Sequence, residues 1–149
     1  MSGALTVVDR SIAAALVALV LGAGAIRLVP GVVGVLHDDG VYAITAKALA
    51  EGHGYRLINL PGSPRQTKYP ILYPAILAVV WTVWPEFPAN GPAMQWVTLA
   101  AAAAAIGLTY LFLVGCGLAS RAVAAASAAL CGLVPMFLHL STLTMSESS

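Results

Sequence analysis

Between Ser11 and Leu36 the chain carries a single charged residue, Arg27. An α-helix needs about 20 apolar residues to cross a hydrocarbon core of about 30 Å, so this stretch is long enough to span a membrane. The pattern recurs. Pro92–Val114 and Leu118–Leu140 are also long enough, although Arg121 interrupts the latter. Pro70–Trp84 is shorter and reaches about 23 Å at the α-helical rise, so it either crosses obliquely or dips in. A soluble domain could not cover a chain with 60% hydrophobic and 9% charged residues and a mean hydropathy of +0.89. The reading is an all-α, polytopic membrane helix bundle of three or four membrane helices, forming one module over residues 1–149.

The alternative for the N-terminus is a cleaved signal peptide, with Arg10 as its basic region, Ile12–Leu21 as its apolar region and Ala23-Gly24-Ala25 as the cleavage site. The apolar sequence continues from Leu28 to Leu36 and more spans follow, which favours a retained helix. Arg27 is then expected to snorkel or to pair inside the bundle. Cys116 and Cys131 have neither metal-ligand nor disulfide-framework spacing and read as small buried hydrophobes. A net charge of +1 without a basic patch excludes a nucleic-acid partner.

Residues 37–69 form a hydrophilic island. The stretch from His37 to Pro74 holds seven of the thirteen charged residues: Asp38, Asp39, Lys47, Glu51, Arg56, Arg65 and Lys68. Val41–Glu51 favours a short interfacial helix with Val41, Ile44 and Ala48 on one face and Lys47 and Glu51 spaced i,i+4 on another. Gly52-His53-Gly54 ends it, Pro61-Gly62-Ser63-Pro64 marks an irregular loop, and Trp81 and Trp84 read as interface-seeking aromatics.

Arg121 is the sole base of its connector, which the positive-inside rule places in the cytoplasm; with the N-terminus there too, the loop lies outside. If Pro70–Trp84 does not cross, Glu147 emerges on the same side as Asp38 and Asp39.

Asp38 and Asp39 are the first candidates for chemistry. Asp39 reads equally as a helix cap and as one of two carboxylates that deprotonate and position an acceptor hydroxyl. Glu147 would add a third carboxylate, and such a cluster could take a divalent cation. Arg56, Arg65 and Lys68, with Tyr55, Tyr69 and Tyr73 nearby, suit a phosphate or an anionic lipid headgroup. His37, His53 and His139 lack ligand spacing, so no metal ligands are assigned.

The order of these features carries a resemblance. An apolar span, Asp38-Asp39-Gly40-Val41-Tyr42, Gly52-His53-Gly54-Tyr55, Lys68-Tyr69-Pro70-Ile71-Leu72-Tyr73-Pro74, a helix pair joined near Arg121, Pro135 and Ser146-Glu147 follow one another. This resembles the N-terminal module of GT-C membrane glycosyltransferases. That group includes protein O-mannosyltransferases, the lipid A aminoarabinose transferase and bacterial dolichyl-phosphate-mannose-mannosyltransferase-like relatives.

The resemblance implies an inverting transfer of sugar from a polyprenyl-phosphate donor at the external face of a bacterial inner membrane; no cofactor is assigned, and a divalent cation stays open. It implies a catalytic role for Asp38 or Asp39, a second acidic site at Glu147, and substrate binding by Arg56, Arg65, Lys68, Tyr69 and Tyr73. Family members often show Asp-Glu in place of Asp38-Asp39 and have many more spans, so the chain reads as an N-terminal fragment, inactive alone. The competing expectation is a small non-enzymatic membrane protein, an assembly subunit or scaffold.

Overall fold

The computed structural model describes residues 5–29, 33 and 38–143. Among these residues six helices follow in order: α1 (Val7–Ala25), α2 (Asp38–Ala50), α3 (Leu72–Val83), α4 (Gly91–Gly115), α5 (Arg121–Leu133) and α6 (Pro135–Ser141). Among the described residues there is no strand, only an isolated antiparallel bridge between Arg56 and Arg65. Helices α1 and α4 are each long and apolar enough to cross a membrane, and α5 with α6 makes a third if that bent pair is one span. The chain divides into two compact units, one of Met1–Leu28 with Leu99–Thr142 and the other of Val29–Thr98 with Leu143–Ser149.

The first unit corrects the expected boundaries of its first and last segments. Helix α1 starts at Val7 rather than Ser11, because Thr6 and Asp9 form a capping box. The Thr6 hydroxyl accepts the Asp9 N–H at 3.3 Å and the Asp9 carboxylate accepts the Thr6 N–H at 2.8 Å. Helix α1 ends at Ala25, and Arg27 lies beyond it, exposed rather than held inside the bundle. Of the expected remainder of that span, residues 30–32 and 34–36 lie outside the described residues.

Helix α4 agrees with its expected range to within a residue at each end. It stops in a Schellman motif at Gly117, whose φ of 67° is open to glycine: Leu118 N–H reaches Leu113 O and Gly117 N–H reaches Val114 O. The expected final span is broken. Pro135 has no N–H and disfavours α conformation in the residue before it, so Val134 is extended and α5 and α6 meet at 63°.

Close approach holds this unit together. A Cβ on Gly24 would lie 2.3 Å from Leu99 Cδ1, and one on Gly107 or Gly132 would lie 2.7 Å from a methyl of Val17 or Val20. Small residues at helix crossings are how packing is gained where lipid removes the hydrophobic drive. The pairings Gly24–Leu99, Gly107–Val17 and Gly115–Leu5 also fix α1 and α4 as antiparallel. The chain therefore leaves α1 and re-enters the Leu99 portion of α4 at the same end of this unit. Cys116 and Cys131 are exposed, which corrects the expectation that both are buried.

In the second unit α2 packs on α3. Helix α2 buries Asp39, Tyr42, Ala43, Thr45, Ala46 and Ala48, and of the apolar set Val41, Ile44 and Ala48 only Ala48 is fully buried. Alanines along that face let α3 come close, and Leu77, Trp81 and Met94 complete the core. Trp81 is thus a core residue, with its ring stacked 5.9 Å from Phe87, whereas Trp84 is exposed. At 12 residues α3 reaches only about 18 Å, short of a full crossing. Gly52 ends α2 in a second Schellman motif, with His53 N–H on Ala48 O and Gly52 N–H on Leu49 O.

Candidate functional site

Helix α2 begins at Asp38, which puts both carboxylates in its first turn, where the positive end of the helix dipole favours them. Asp39 is therefore not the residue preceding the helix, as a cap would be. It is fully buried and its Oδ1 accepts the Gly40 N–H at 2.7 Å. Asp38 is half-buried and accepts the Tyr69 hydroxyl. The Lys68 ammonium donates to that same hydroxyl at 2.5 Å, giving a chain from lysine through tyrosine to aspartate. The Tyr69 hydroxyl holds the Lys68 pKa above its ordinary value, with a smaller contribution from the Asp38 charge.

Tyrosines pack behind this chain. The Tyr42 ring sits 5.1 Å from those of both Tyr69 and Tyr73, edge-on to the latter, a favoured aromatic geometry. Tyr73 shares a 2.5 Å hydrogen bond with Thr98, and the Tyr55 hydroxyl donates to Tyr69 O at 3.1 Å. Burial, with Tyr42 nearby, pushes the Tyr55 pKa up. The Tyr69-Pro70 return to α3 is thus tied down from several directions, which fixes where the Lys68 and Tyr69 side chains emerge.

Of the residues picked from sequence, Asp38, Asp39, Lys68, Tyr69 and Tyr73 come together. Arg56 and Arg65 do not join them. These two line a separate hollow of about 480 Å³ with Gly52, His53, Gly54, Tyr55, Gln66 and Thr67. Glu147 and His37 lie outside the described residues. Among the described residues no group of three or more His, Cys, Asp or Glu side chains is placed to hold a metal ion.

Sequence reasoning missed three features. Tyr42, the hub of the tyrosine cluster, sits in a motif whose acids drew attention instead. A hollow of about 720 Å³ opens beside Lys47, Trp81, Glu86 and Phe87, and the Trp81 indole N–H is buried without a partner among the described residues. In the first unit Asp9 is buried and receives Arg121 Nε at 2.6 Å and Nη2 at 3.1 Å. The capping-box spacing of Thr6 and Asp9 was a visible signal for the start of α1, but nothing local announces the arginine 112 residues away.

Compared with protein-family models, with curated proteins and with solved structures, the chain matches none.

Proposed function

We propose that this chain is a membrane module of a glycosyltransferase that moves a sugar from a polyprenyl-phosphate donor onto a lipid, glycan or protein hydroxyl. The observation that carries the reading is the Lys68–Tyr69–Asp38 chain. It sets a half-buried carboxylate beside a lysine ammonium, the two charges such a transfer needs. In this reading Asp38 takes the proton of the acceptor hydroxyl while its oxygen attacks the anomeric carbon. The sugar–phosphate C–O bond breaks, and Lys68 favours the departing phosphate as a point charge. Tyr69 aligns the two groups. Asp39, buried under the helix start, positions Asp38 rather than meeting substrate.

The same reading makes the chain a multi-pass protein of a bacterial inner membrane with residues 37–69 outside. Two facts favour it. Helices α1 and α4 are antiparallel, so the segment between them makes no net crossing, and Arg121 sits at the end where α1 begins, beside Asp9. The positive-inside rule assigns that end to the cytoplasm. A cysteine placed at Ser63 in an otherwise cysteine-free chain should then react with an impermeant reagent applied from outside.

The deciding assay supplies the full-length protein in membranes with polyprenyl-phosphate sugars. Asp38→Asn should lower transfer by about a hundredfold or more, the usual scale for losing a general base. Undiminished transfer in an Asp38→Asn, Asp39→Asn double variant would remove the site and leave the scaffold reading in its place.

A further inference from the structure

The hollow that holds Arg56 and Arg65 is built against electrostatic preference. Gln66 N–H donates to Tyr55 O at 3.0 Å and Leu57 N–H donates to Pro64 O at 2.9 Å, and these two bonds flank the Arg56–Arg65 pair. The arginines therefore occupy a non-hydrogen-bonded antiparallel position, the closer of the two kinds, with both side chains on one face of the ribbon. Like charges directly opposed in this way are destabilising. Among the described residues neither arginine forms a salt bridge, and no carboxylate lines the hollow.

The rest of the lining supplies donors. Gln66 Oε1 accepts the Lys68 N–H at 2.8 Å, which leaves its amide NH₂ for another partner. Thr67 adds a hydroxyl. Arg56 Nη1 is anchored on Ser63 O at 3.1 Å, so one guanidinium is held in place while Arg65 stays exposed. A dianion with several oxygens would relieve the arginine repulsion and accept from all of these groups at once, and bidentate recognition by guanidinium suits phosphate.

We propose that this hollow binds a phosphate dianion, apart from the Asp38 cluster. The inference does not depend on glycosyl transfer. The phosphate is either a free one or the headgroup of an anionic lipid, and one experiment separates these sources.

The full-length chain is placed in nanodiscs of phosphatidylcholine. Inorganic phosphate is titrated calorimetrically, and in parallel discs doped with phosphatidic acid the retained lipid is counted by native mass spectrometry. Saturable phosphate binding identifies a free-phosphate site. Selective retention of phosphatidic acid without it identifies a headgroup site. In either case Arg65→Gln should weaken capture about tenfold, as expected for losing a charge-assisted pair, and Arg65→Lys should restore part of it. Arg65 makes no hydrogen bond that the fold needs, and an unchanged circular dichroism spectrum checks this. Absence of both kinds of capture, or capture equal in wild type and Arg65→Gln, overturns the proposal.

Discussion

The two units use their polar groups in opposite ways. In the unit built from α1, α5, α6 and the Leu99–Gly115 part of α4, the buried charge is consumed internally. Asp9 takes two bonds from Arg121 and one from Thr6 N–H, with the Tyr110 hydroxyl 3.5 Å away. In the unit built on α2 and α3, polar groups keep spare capacity. Lys68 has further donors and, among the described residues, Arg56 and Arg65 form no salt bridge and three buried polar atoms, on Trp81, Asn90 and Gln95, have no hydrogen-bond partner. Natural folds rarely leave buried polar groups unmatched without reason. The contrast separates a unit whose buried charge is matched within the fold from one that keeps unmatched polar groups.

Substitutions can break that contrast. The largest expected effect is on chemistry, where Asp38→Asn should cost about a hundredfold in transfer yet leave thermal unfolding close to wild type. If both fall together, Asp38 belongs with the groups matched within the fold. Next comes Arg121→Met, which strands the Asp9 carboxylate in a buried site without its charge partner. It should lower the melting temperature in detergent more than any substitution in the α2–α3 unit, while phosphate capture by the remaining folded protein persists.

Smaller again is Gly132→Val, which should destabilise by about 1–3 kcal/mol in chemical denaturation. The obstructing atom belongs to Val20, whose β-branched side chain cannot swing aside. The smallest effect is a pH dependence of the polar unit. Folding raises the pKa of Lys68 through Tyr69 and that of Tyr55 through burial, so folding favours both protonated forms. Their stabilisation is complete below the ordinary unfolded values of about 10 and is lost as pH climbs through the raised folded ones. The unfolding midpoint should fall in that alkaline range, and Tyr55→Phe should shed part of the slope.

What was legible in the sequence follows from the range of each interaction. Helix α4 could be read to within a residue because an apolar run between glycines and prolines carries its own signal. The glycine stop after α2 was equally local. The start of α1 lies four residues before the expected Ser11 because Asp9 closes the capping box on Thr6 and pairs with Arg121. The cysteines do not sit in the core because one follows the end of α4 and the other lies on the exposed side of α5, which an apolar run does not reveal. At the site, Asp38, Lys68 and Tyr69 were legible as residue types, and the structure adds the hydrogen bonds that join them. The opposition of Arg56 to Arg65 was not legible. It depends on a ribbon closed by Gly62 and Ser63, both at positive φ, with none of the alternation that marks a strand.

The antiparallel pairing of α1 with α4 has a consequence for how such a chain can change. Gly24 touches Leu99, so the polypeptide departs and comes back at neighbouring points. Two antiparallel helices placed this way can be joined by a turn of about 2–8 residues. Everything between them is a cassette. It can lengthen, shorten or be exchanged without rethreading the two helices on either side of it.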